Sequence, residues 1–112
     1  MKEAELKKTI ETYLQIEQNL GHLVFNRLNS GEVLVKRGEK VYKVNLCQEG
    51  TPDFIVHKLD AGGTFYLEVK GEGGKVGDKQ IEFAELLYKQ GVSAYVVKSL
   101  EDTQRYCEEV IS

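Results

Sequence analysis

Asp53, Glu68 and Lys70 are the residues of this chain whose types and spacing could do chemistry. Glu68 and Lys70 stand two apart in the run Thr64 to Lys70 (TFYLEVK), and side chains two apart on a strand share a face. Asp53 follows the only proline, Pro52, and heads the run DFIVHKL. If Asp60 pairs with Gly63 across the turn Asp60-Ala61-Gly62-Gly63, Asp53 falls opposite Lys70 and Ile55 opposite Glu68. All three polar side chains then lie on one face at one end of a hairpin. Two carboxylates so close repel, and each raises the other's cost of ionising. A hard divalent cation, Mg²⁺ or Mn²⁺, removes that penalty because it prefers oxygen ligands. The carbonyl of Val69, between Glu68 and Lys70, offers a further oxygen. Lys70 would hold or deprotonate a water beside the metal, aimed at the phosphorus of a phosphodiester, while the metal acidifies the water and stabilises charge on the phosphate. E-x-K triplets are common and mostly solvated; the Pro52-Asp53 pair ahead of this one, behind Gly50, gives it weight.

Two more polar residues fall where apolar ones are expected. At ~100° per residue, Leu6, Ile10, Tyr13 and Leu14 span about 220° to 320° of the first helix, and Glu3 lies at about 300°. A glutamate on a core-facing stripe needs a partner, because buried charge is costly; a metal or its water shell would be one, and the alternative is a frayed first turn that leaves Glu3 in solvent. Glu17 falls in the same arc. In the second long helix Ile81, Ala84, Leu87 and Tyr88 share a face and Gln80 lies among them, placed either to orient a water or phosphate or simply to cap the helix. The loop Gly71 to Lys79 (GEGGKVGDK) fits neither G-x-x-x-x-G-K-[ST] nor G-x-G-x-x-G, which argues against a nucleotide-binding loop. Lys75 and Lys79 would touch DNA backbone phosphates or, as single lysines more commonly do, stand solvated at the surface.

The elements that must position these groups can be read from periodicity and turn residues. Residues 3–20 form an amphipathic helix with apolar Leu6, Ile10, Tyr13, Leu14 and Leu20, stopped by Gly21. His22 to Leu28 is a strand. VLVK and VYKVNL, separated by Arg37-Gly38-Glu39-Lys40, make a β-hairpin. Asp53–Leu59 and Thr64–Lys70 are two further strands, and Gly71–Gly77 is a flexible loop. Asp78 caps a helix running to about Gln90 and ended by Gly91. Ser93–Val97 is a strand, and residues 101–111 are a closing helix. The order αβββββαβα predicts an α/β fold, a mixed sheet flanked by helices.

Composition narrows the function without deciding it. The 112 residues carry 15 Lys and Arg against 18 Asp and Glu, a net charge of −3, so bulk attraction alone does not bind nucleic acid here. Length allows one domain, 1–112. Hydrophobic residues are 41% and charged ones 29%, as in ordinary soluble proteins. No apolar run approaches the ~20 residues that span a bilayer, and MKEAELKK is no signal peptide, so a cytoplasmic location and no membrane partner are expected. Cys47 and Cys107 are expected to be reduced thiols. They and the isolated His22 and His57 lack zinc-site spacing.

Gly50-Thr51-Pro52-Asp53, then Glu68-Val69-Lys70, then Gln80 in a Lys-Gln pair resemble, in order, the blocks of the VRR-NUC (virus-type replication-repair nuclease) family of the PD-(D/E)xK superfamily. EAELKKTIETYL is similar to that family's opening helix, and VFNRLNSG, which contains Arg27 and Ser30, to its second block. The resemblance covers nearly the whole chain. It implies a restriction-endonuclease-like αβββαβ core, with the 32–48 hairpin as an addition, and divalent metal held by Asp53, Glu68 and the Val69 carbonyl. It further implies Lys70 as catalytic lysine, Glu3 as the opening-helix glutamate that joins the metal site, and Gln80 as the motif glutamine. Separately from the resemblance, DNA contacts are expected from Arg27, Ser30, Lys75 and Lys79. A stand-alone member of this kind, as found in bacteriophages and so acting in the host cytoplasm, is expected to be a homodimeric Holliday-junction resolvase acting on branched DNA. The alternatives are a nuclease for flaps or ends, and a non-catalytic DNA-binding subunit.

Overall fold

The computed structural model describes residues 1–29, 32–59 and 63–109. Its elements are α1 (Glu3–Asn19), β1 (Leu23–Arg27), β2 (Glu32–Arg37), β3 (Lys40–Asn45), β4 (Phe54–Lys58), β5 (Thr64–Val69), α2 (Asp78–Lys89), β6 (Ser93–Val97) and α3 (Leu100–Glu108). Types and order agree with the sequence reading. The residues of the closing helix from 110 onward, Ser30, and the turn at Asp60 lie outside the described residues.

β1, β4, β5 and β6 form the central sheet in that spatial order. β1 and β5 run antiparallel to β4, and β6 runs parallel to β5. Parallel neighbours need a long crossover, which α2 supplies between β5 and β6. The strand alternation buries Phe54, Val56, Phe65, Leu67 and Val69 on one face, and Leu6, Ile10 and Leu14 of α1 close over them. Each such side chain contributes about 1.5–3 kcal/mol when fully buried. Cys107 of α3 joins this core, and burial pushes its thiol up to about 12. Both cysteines are free thiols, as expected.

Three local expectations need correction. Leu20 does not extend the apolar stripe of α1; it is the exposed C-cap residue, past the last helical residue Asn19, and Gly21 at φ 82° then turns the chain away. α2 is rotated from its expected setting: Gln80, Phe83, Ala84 and Leu87 face inward, while Ile81 and Tyr88 are exposed. Phe83 decides this, packing edge-on against Tyr66 of β5 with ring centroids 6.1 Å apart. Asp78 is not the cap of α2; Gly77 holds that position.

The hairpin register also differs. Phe54 pairs with Leu67 and His57 with Thr64, which sets Asp53 opposite Glu68 rather than Lys70. The Lys58 N–H donates to the Gly63 carbonyl at 2.9 Å, so a longer connection joins the strands than a two-residue turn would. The shift is two residues, and an even shift leaves every side chain on its face. The expected convergence therefore survives the error.

Candidate active site

Asp53 stands just before β4. Its backbone N–H donates to the Leu67 carbonyl at 3.0 Å, and its Oδ2 accepts the Val69 N–H at 2.7 Å. The aspartate is thereby clamped to β5 by main chain and side chain together. Along a strand the N–H and C=O of one residue point to the same neighbour, so the Val69 carbonyl also faces the Asp53 side. Asp53 Oδ1 accepts from Lys7 Nζ at 3.0 Å, and Lys7 also lies 3.3 Å from Glu3 Oε2.

Glu68 lies one residue before Val69, on the opposite face of β5 from the core, with only 6% of its surface exposed. Its Oε1 accepts from Gln80 Nε2 at 3.0 Å and is 3.9 Å from Lys70 Nζ. Its Oε2 is fully buried and has no hydrogen-bond partner among the described residues. Burial first, and the nearby Asp53 carboxylate second, push the Glu68 carboxyl up to about 8, against the opposing pull of Lys70. A carboxylate in this setting is costly. Lys7 is perturbed in its own right. Burial works against its charge, but hydrogen bonds and charges of Asp53 and Glu3 outweigh that and hold its pKa above the usual lysine value.

Gln80 serves two groups at once. Its Oε1 accepts the Gly77 N–H at 2.8 Å, closing the first turn of α2, and its Nε2 is left to face Glu68. The two roles weighed from the sequence, helix cap and site residue, are one role. One Nε2 hydrogen is spent on Glu68, and the amide's second N–H is left over for a water or phosphate. The loop before Asp53 keeps α2 in place: a Cβ on Gly50, at φ 90°, would lie 2.2 Å from the Lys79 carbonyl oxygen. On the other side, a Cβ on Gly71 would lie 2.6 Å from the Glu3 backbone nitrogen. These two glycines let the start of α1 and the start of α2 close on the end of β5.

Asp53, Glu68, the Val69 main chain, Lys70 and Gln80 are thus brought together. Glu3 reaches the group only through Lys7, and among the described residues no three His, Cys, Asp or Glu side chains cluster as a metal site. The donor set at the centre is nevertheless hard oxygen, two carboxylates and one carbonyl. With the buried, unpartnered Glu68 Oε2 it fits Mg²⁺ or Mn²⁺. Arg27 stands apart, paired with Glu11 at 3.0 Å, on a groove of about 390 Å³ that Glu3, Lys7 and Lys8 also line. Lys75 and Lys79 are exposed, and Lys79 lies 3.4 Å from Glu82. Ser30 falls outside the described residues. Lys7 was missed from the sequence, although its spacing of four from Glu3 puts both on one helical strip.

A model of the VRR-NUC domain family matches residues 2–101. Among solved structures, one described as "VRR_NUC domain" is similar at a TM-score of 0.58 and 19% identity, over 92% of this chain and 95% of that one. That likeness speaks to the fold, a mixed sheet flanked by helices. No curated protein matches.

Proposed function

The chain belongs to the VRR-NUC domain family, which implies a nuclease-type function, and on that footing we propose a metal-dependent DNA endonuclease working as a single nuclease domain. The observation that carries this reading is the half-buried Asp53 beside the buried Glu68, with Glu68 Oε2 lacking a hydrogen-bond partner among the described residues and Lys70 beside it. Asp53, Glu68 and the Val69 carbonyl would hold Mg²⁺ or Mn²⁺. When bound, the ion supplies Lewis acidity at a water and at the phosphate. The chain's own residues do the rest. Gln80 fixes the Glu68 carboxylate so that its free oxygen keeps one direction. The Val69 N–H does the same for Asp53. Lys70 Nζ holds the attacking water beside Glu68 and balances charge on the phosphate. Lys7 keeps Asp53 and Glu3 from repelling one another, with Glu3 acting through it rather than as a direct ligand. Arg27, Ser30, Lys75 and Lys79 contact the DNA backbone.

We take the substrate to be branched DNA, a four-way junction foremost, and the working form a homodimer, because one chain carries one acidic site and paired incisions need two. The test is incubation with labelled junctions, flaps and linear duplexes in Mn²⁺, beside Lys70→Ala. Symmetric paired cuts in the junction are expected, with about 10²–10⁴-fold slower cutting by the variant, as for a group that manages a proton at the reacting water. Cutting confined to flaps or ends would move the assignment to an end-processing nuclease. Binding without cutting by the wild type would leave a non-catalytic subunit.

A further inference from the structure

Among the described residues, β2 and β3 form a ribbon that pairs with neither edge of the central sheet and makes no extensive contact with another helix or strand. A lone two-stranded ribbon is marginal in water, so its persistence over six paired positions calls for a partner. The register sorts its side chains: Val33, Val35, Tyr42 and Val44 share one face with Arg37 and Lys40, while Leu34, Lys36, Val41 and Lys43 share the other. Lys36, Arg37, Lys40 and Lys43 are all exposed. Against Glu32 and Glu39 they give the ribbon a formal charge of +2 in a chain of net −3. At its root the Cys47 N–H donates to the Asn29 carbonyl at 2.8 Å, and the Leu28 N–H to the Asp53 carbonyl at 2.8 Å. Leu28, just after β1 on the side of the chain that leads toward the ribbon, is thereby bonded to the residue whose carboxylate helps build the acidic site. It belongs to an elongated molecule measuring 53 by 32 by 31 Å.

We propose that this ribbon is an arm that grips duplex DNA beside the cut, its four cations neutralising backbone phosphates. The inference rests on the nuclease reading and adds to it the surface that holds the substrate. Cations on both faces and around the tip suit a rod lying in a groove, flanked by phosphates on either side. The major groove, about 12 Å wide, admits a two-stranded ribbon. Six pairs at ~3.3 Å put the tip ~20 Å from the root, about six base pairs along the duplex at ~3.4 Å each. An acidic protein thereby gains a local basic element.

The experiment compares wild type with Lys36→Gln/Arg37→Gln/Lys40→Gln/Lys43→Gln. Binding is measured in EDTA to labelled junctions with arms of 4, 8 and 12 base pairs, from 50 to 200 mM KCl. Each phosphate contact contributes about 0.9 to the slope of log affinity against log salt. The variant is expected to lose up to about 3–4 of that slope. Wild-type affinity should rise roughly tenfold or more between the short and middle arms, where a cation at the tip first finds phosphates, and variant affinity should not. Equal slopes and equal length dependence would overturn the arm while leaving the nuclease reading intact. A wild type that binds no DNA of any kind would overturn the nuclease reading and the arm with it. A wild-type dimer that the substitutions split into monomers, with DNA binding unchanged, would assign the ribbon to contact between copies instead.

Discussion

Replacing Glu68 with glutamine removes a buried charge, keeps the shape, and retains an oxygen for Gln80 Nε2, which donates to Glu68 Oε1 at 3.0 Å. The new amide group gains Asp53 as an acceptor. The folded-state carboxyl is pushed from 4.5 up to about 8, by burial first and Asp53 second. Between those values the native state holds a proton that the unfolded chain has released, so stability falls as pH rises. It is greatest below pH 4.5 and declines until the native carboxyl has ionised, near pH 8. At 1.36 kcal/mol per unit the full shift corresponds to about 5 kcal/mol. Lys70, 3.9 Å away, and relaxation around the charge reduce this, and about 2–3 kcal/mol is the expected loss. Domains of this size have roughly 5–15 kcal/mol in total, so the effect should move the urea midpoint by about 1–2 M. The assay is urea unfolding in EDTA at pH 5, 6, 7 and 8.5. Wild type should weaken steadily over that series, while Glu68→Gln stays nearly flat, matches wild type near pH 5 and exceeds it at pH 8.5. Added Mn²⁺ should restore the wild type at pH 8.5 by mass action and leave the variant unmoved. Parallel pH curves for the two proteins would refute the claim that Glu68 is a strained buried carboxylate.

Lys7→Met tests the internal cation on Asp53 Oδ1. Without Mn²⁺ the variant should lose about 1 kcal/mol of stability, the scale of a charge-assisted hydrogen bond discounted for partial exposure. Calorimetric Mn²⁺ affinity should rise about 3–10-fold, because the ion no longer displaces an ammonium; weaker Mn²⁺ binding would mean that Lys7 only positions the aspartate. Gly50→Ala forces a left-handed backbone on alanine and sets its Cβ against the Lys79 carbonyl. It should cost about 3 kcal/mol or more in chemical denaturation, whereas Gly38→Ala, at φ 64° with nothing within 4 Å, should cost about 1 kcal/mol. Equal losses at the two positions would show that the close approach of the Gly50 loop to α2 carries no energy.

Element types and order were legible because each is written in short-range patterns: period two in DFIVHKL and TFYLEVK, helical spacing in Leu6, Ile10 and Leu14, and glycines at the stops. The pairing of Asp53 with Glu68 was legible for a narrower reason. The register expected from the turn differs from the observed one by two residues, but strand faces depend only on parity, so the carboxylates converge under either register. The setting of α2 was misread because helical spacing fixes which residues share a face and not how that face is turned. Phe83 against Tyr66 turned it.

What the chain determines by itself is therefore the elements and the chemical types at their ends, since these depend on neighbours two to four residues away. Tertiary structure alone decided that Lys7, forty-six positions from Asp53, would supply its counter-charge, and that Gln80 would turn one amide atom to its own helix and the other to Glu68. Both outcomes depend on how closely two helix starts approach the end of β5. That approach is set by the missing side chains of Gly50 and Gly71 and by the packing of the core, neither of which acts between residues that are neighbours in sequence.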